Sequence, residues 1–199
     1  MNEGRKMGSL RCVEGGTAAH FTHEDKKMDR VLEEYDATPL IGLRAVVINA
    51  AVKSDEEDTV EVPKLRELLA AAAIVRCLMP IKLRGYEIKA IRKIMQCTLA
   101  DLAKKMGENT APETVSRWEA EAQPMGGYAE KVLRLVVCEK LKAEAPGVEY
   151  KGEMIALLNV KDPWKTDAHF EVPPIPFAMT RMKEQSGAII DAWDFKQAA

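Results

Sequence analysis

Glu113 and Arg117 lie four residues apart, so any helix that carries them sets both on one flank, with Thr114 and Ser116 beside them. An arginine guanidinium donates as a planar fork that matches guanine O6 and N7 in a DNA major groove. A glutamate only accepts, which selects the N4 donor of cytosine. Glu113, Thr114 and Arg117 are therefore the candidate base contacts. Thr98, Thr110 and Ser116 carry hydroxyls that can donate to phosphates near positive helix ends, and Lys104 and Lys105 add salt-sensitive attraction. These five are the candidate phosphate contacts, against the plainer reading that the threonines only cap helices and the lysines only solvate one. Cys12, His20 and His23 offer three metal ligands and no fourth, so no metal is expected. With three histidines in 199 residues, no nucleophile elbow and no glycine-rich phosphate loop, neither a cofactor nor enzymatic activity is expected.

Three short helices would have to position these groups. Ile88, Ile91 and Met95 recur on one face of the first and leave Lys89, Arg92 and Lys93 to solvent. The second opens at Thr98, an N-cap with Asp101 three residues on, buries Leu99, Leu102, Ala103 and Met106, and stops at Gly107. The third starts near Thr110-Ala-Pro-Glu113, where Thr110 and Glu113 have capping-box spacing and Pro112 fits the first turn. Val115 and Trp118 face inward, so Glu113, Thr114 and Arg117 face out. The pattern reads as a helix-turn-helix.

Leu102-Ala103-x-x-Met106-Gly107, Thr114-Val115-Ser116-Arg117-Trp118-Glu119 and Pro124 resemble the lambda-repressor-like, or Cro/XRE-type, helix-turn-helix family. With Leu83 to Lys93 added, the stretch is most similar to the branch of MqsA/YgiT-type antitoxin regulators. The resemblance covers about Ile81 to Leu141. It implies that Glu113 and Arg117 stand at base-reading positions, Arg117 keeping the family's residue and Glu113 replacing its asparagine. The chain departs from the family in a longer stretch between Gly107 and Thr114, in Leu99 where a glutamine is usual, and in Glu121 where a glycine usually follows the Trp-Glu pair. The N-terminal zinc module of that branch is not carried over, because its paired cysteines are missing.

Net charge is only −2 with 30% charged residues, so DNA affinity would have to come from a local patch. From Lys82 to Lys142 basic residues outnumber acidic ones by twelve to eight. The four cysteines form no C-x-x-C pair and no secretory leader is evident, which suits reduced thiols in a cytoplasmic protein. The longest apolar run, Leu68 to Ile81, is short and interrupted by Arg76, so no membrane span is expected.

The expected fold is mainly α: a lambda-repressor-like bundle of four to five helices preceded by a small β-hairpin and a helix. Residues 1–35 are expected to be mostly flexible, with a helical turn near Asp29 to Tyr35. In 36–80, Leu43 to Val52 and Thr59 to Val62 pair as a hairpin, and an apolar helix from Lys64 to Leu78 packs on the helix-turn-helix core of its own chain or, with the hairpin, builds a two-fold dimer interface. Residues 81–145 are the DNA-binding domain, closed by a helix from Tyr128 to Ala143. Residues 146–199 form a Pro- and aromatic-rich arm that ends in a short helix over Ala188 to Phe195 and wraps on its own domain or docks elsewhere. The expected function is sequence-specific binding of double-stranded DNA by a homodimeric transcriptional repressor at an inverted-repeat operator. The alternative is an antitoxin or antiactivator that also binds a toxin or another regulator.

Overall fold

Val47, Phe177 and Trp193, each fully buried, sit on three neighbouring strands and mark the centre of a four-stranded sheet. The computed structural model describes residues 29–54, 59–183 and 188–195. Strands β1 (Arg30–Val31) and β2 (Glu34–Asp36) precede a single-turn helix α1 (Thr38–Ile41) and strand β3 (Ala45–Ile48). Asn49, at φ +50°, then turns the chain into β4 (Val52–Lys53), which pairs with β5 (Val60–Glu61). Asn tolerates that left-handed backbone better than most residues, and here it sends one apolar run into two different sheets. The smaller sheet has the order β1-β4-β5.

Helices α2 (Leu65–Leu78), α3 (Gly85–Ile94), α4 (Leu99–Met106), α5 (Pro112–Glu119), α6 (Gly127–Leu141) and α7 (Gly152–Ala156) follow, then strands β6 (Ile175–Lys183) and β7 (Ile189–Phe195). The larger sheet runs β2-β3-β6-β7, with β3 and β6 parallel. A parallel pair needs a long crossover. Here residues 49–174, with all helices from α2 to α7, form it.

These observations correct the expected mainly α bundle: the described residues form a mixed α/β fold, 44% helix and 19% strand. Prolines 173, 174 and 176 suggested an extended arm, yet Ile175, Phe177 and Met179 alternate as a strand does. Pro176 is tolerated because β6 pairs there only with β3, opposite Val46, and β7 joins from Phe177 onward. The missing N–H falls on the open side. Ala188 to Phe195 is no helix; it supplies the edge strand β7, whose Trp193 donates its backbone N–H to Glu67 Oε1 at 2.9 Å and its ring N–H to Pro63 O at 3.2 Å. The helical turn expected near Asp29 is replaced by β1 and β2. The expected hairpin reduces to the short β4–β5 pair. Cys12, His20 and His23, and residues 1–28 of the segment expected to be flexible, lie outside the described residues. No described helix is long and apolar enough to cross a membrane.

Helix α2 is buried all round from Ala70 to Cys77, packed against β6 and β7 and against α6. Its own chain covers the apolar surface that could have served a dimer. Arg76 interrupts that surface because it is half of a buried joint. Arg76 donates to both Glu87 carboxylate oxygens at 2.6 and 2.7 Å, and to the carbonyls of Ile81 and Lys82. Arg134 donates to Glu130 at 2.8 Å and to the carbonyls of Cys77, Met79 and Ile81. All four side chains are at most 2% exposed. Buried charges are tolerable when paired and hydrogen-bonded, and these pairs use each other and the 77–82 backbone, leaving the Arg134 Nε–H without a partner among the described residues. The connection from α2 to α3 is thereby clamped.

Candidate nucleic-acid interface

α5 carries Val115 and Trp118 inward, 0% and 7% exposed, against α3 and α4. Helical spacing turns Glu113, Ser116 and Arg117 to solvent and leaves Thr114 half-buried. No ion pair or side-chain hydrogen bond engages Glu113 or Arg117 among the described residues. The N-cap is Ala111, without a side-chain cap, and Pro112 is the first helical residue. The expected Thr110–Glu113 capping box is therefore not made. Pro112 shifts the helix start by one, which sets Glu113 second, in the first turn at the positive helix end.

The cap of α4 is made as expected. Thr98 Oγ1 accepts from the Asp101 N–H at 3.1 Å and donates to Asp101 Oδ2 at 2.7 Å, and Asp101 also accepts from the Thr98 N–H. These bonds hold the Asp101 carboxyl below its ordinary value. The Thr98 hydroxyl proton is thus committed to the cap. Lys104 and Lys105 are exposed in the last turn of α4 and line a shallow depression with Asp101 and Lys140. Thr110 is half-buried beyond Gly107, whose φ of +113° lets the chain leave α4. Apart from Thr110, which lies between the helices, the candidates fall into two sets on two packed helices: Thr98 at the cap of α4 with Lys104 and Lys105 in its last turn, and Glu113, Thr114, Ser116 and Arg117 on α5.

Four residues that hold α5 in place were not legible as such. Arg92, expected to face solvent, is half-buried. It forks onto Glu119 at 2.5 and 2.9 Å and donates to Cys97 O at 3.0 Å, joining α3, the following turn and the end of α5. The Glu119 hydrogen bond raises the Arg92 pKa further. Arg84 forks onto Glu121 at 2.8 and 2.7 Å, and the Gly85 N–H also donates to Glu121 at 2.8 Å. Partial burial pushes the Glu121 carboxyl up, but the Gly85 and Arg84 hydrogen bonds outweigh it and leave it lowered. Glu121 has φ +56°, in the left-handed region that glycine favours. A Cβ on Gly85 would lie 2.5 Å from Glu119 O and 2.8 Å from Trp118 O, so the start of α3 meets the end of α5 only as glycine. The one available signal was charge complementarity between 84 or 92 and 119 or 121, and no local periodicity points across that separation.

The C-terminal segment supports the same corner. Arg84 lies over the Trp164 ring at 5.1 Å, and Ile81 bridges to Lys161. In comparisons with known proteins the chain matches no family model, no curated protein and no solved structure.

Proposed function

We propose that the chain is a sequence-specific double-stranded DNA-binding protein, a dimeric transcriptional repressor acting in the cytoplasm on an inverted-repeat operator. The observation that carries this reading is the solvent flank of α5, where an unpaired Arg117 and Glu113 stand on a helix whose other flank is locked by Val115, Trp118 and the Arg92–Glu119 fork. A rigid short helix with free donors and acceptors suits the major groove, where each base pair presents its own pattern. Arg117 would read guanine, Glu113 cytosine, and Lys104 and Lys105 would add phosphate attraction. Thr114 completes the base-facing set; Ser116 and Thr110 remain phosphate candidates, and Thr98 joins them only by breaking its bond to Asp101.

Selection from random duplexes followed by sequencing tests the reading. Enrichment of an inverted repeat with half-sites about 10 base pairs apart, or a multiple, is the expected result. Equal retention of all sequences overturns it.

A second reading, as antitoxin or antiactivator, is favoured by one feature. A groove of about 560 Å³ has Leu40, Ile41, Leu69 and Tyr86 along its floor and Lys89 and Lys93 on its rim. Leu40 and Tyr86 are about half exposed, and neither lysine has an ion-pair partner among the described residues. An acidic partner segment with an apolar anchor fits that chemistry. Relief of a neighbouring gene product's toxicity on co-expression, lost with Lys89→Glu and Lys93→Glu together, supports it; promoter silencing without relief excludes it.

A further inference from the structure

We propose that the exposed face of α6 is the self-association surface of the chain, with two copies packed antiparallel about a two-fold axis at Leu135. This deepens the dimeric part of the reading above and rests on no statement about DNA.

α6 spends one face on the core, burying Glu130, Leu133, Arg134, Val137, Cys138 and Leu141. The other face carries Tyr128, Val132, Leu135, Glu139 and Lys142 at alternating spacings of four and three, which makes a straight stripe. Tyr128 is 84% and Leu135 39% exposed. Lys131 donates to Ala156 O at 2.8 Å and so draws the end of α7 alongside, where Leu157 is 83% exposed. Large apolar side chains are thus gathered beside α6 and left uncovered by the described residues.

The occupant follows from the symmetry of the stripe. Lys131 lies four residues before Leu135 and Glu139 four after; Tyr128 lies seven before and Lys142 seven after. At 1.5 Å per residue these positions fall about 6 and 10 Å on either side of Leu135. Antiparallel pairing brings Glu139 of each copy to Lys131 of the other, and each Lys142 to the Tyr128 ring of the other. Parallel pairing would oppose like charges. An unrelated partner gives no reason for opposite charges to be equidistant from one exposed leucine.

Sedimentation of the full chain tests this, with circular dichroism as the check on folding. The expected results are a dimeric native chain, a folded monomer for Leu135→Asp, and dimer dissociation raised about tenfold by Glu139→Lys and restored by adding Lys131→Glu. A monomeric native chain overturns the proposal, as does a Leu135→Asp protein that still dimerises. Failure of the double variant to restore association overturns the antiparallel pairing. If Leu135→Asp does not fold, Glu139→Lys at its exposed site decides alone. Duplex selection is read separately, so a monomer that still selects DNA removes the α6 surface and leaves Arg117 in its proposed role.

Discussion

Two groups of charged residues lie on neighbouring helices of this chain and are treated in opposite ways. Arg76, Glu87, Glu130 and Arg134 are buried, paired as Arg76–Glu87 and Arg134–Glu130, with both arginines tied to backbone carbonyls. Glu113, Arg117, Lys104 and Lys105 are exposed and form no ion pair among the described residues. The first group is closed off from solvent and fixes the path from α2 into α3. The second makes no side-chain hydrogen bond among the described residues and does no more for the fold than complement the helix ends on which it stands. Charge type alone therefore says little; the partner list separates a joint from a surface open to recognition.

The contrast is most easily broken from the buried side. Arg134→Ala takes the donor from the Cys77 and Met79 carbonyls and leaves the buried Glu130 with only the Leu83 N–H and Lys82, and is expected to cost about 3–5 kcal/mol in urea unfolding. A loss below about 1 kcal/mol would mean the joint is dispensable. Next comes Gly85→Ala, which drives a methyl into the backbone of the α5 end; about 1–3 kcal/mol is expected from forced overpacking, with α5 displaced.

A smaller effect is expected from acid. The folded-state Glu121 carboxyl lies below its ordinary value of 4.5, so its contribution is complete above that value and is lost as pH falls through the lowered one. Glu121→Gln should therefore flatten the decline of Tm on acidification below 4.5, and an unchanged slope would show that the Arg84 fork adds nothing. Smallest of all is Arg117→Ala, expected to move stability by no more than about 0.5 kcal/mol. In a gel shift the same variant should lose about 1–3 kcal/mol of preference for the selected duplex. Unchanged discrimination would remove Arg117 from the reading face.

The three-helix stretch was legible because its signals are local. Thr98 with Asp101, Pro112 with Trp118 and the Ile88–Ile91–Met95 stripe each act within a turn or two, and each appears where the spacing places it. The cap at Thr110 failed by a single residue, since Pro112 took the first helical position. The sheet was not legible. Val47 finds Phe177 across the whole helical part of the chain, and three prolines around β6 disguised a strand that has only one neighbour where Pro176 sits. Arg76 was visible only as an interruption of an apolar run, because its partner Glu87 belongs to another helix. In the candidate site the exposed flank could be read from helical spacing, whereas Arg84, Arg92, Glu119 and Glu121 could not.

The parallel joining of β3 to β6 bears on how the molecule comes into being. A ribosome releases Val47 early, yet its neighbour Phe177 emerges only after every helix from α2 to α7 has been made. The helices can form from nearby contacts, whereas the sheet must wait for distant ones, and pairings of that kind are slow. During that wait one edge of β3 is open, and a truncated or stalled chain would expose it to other unfinished copies.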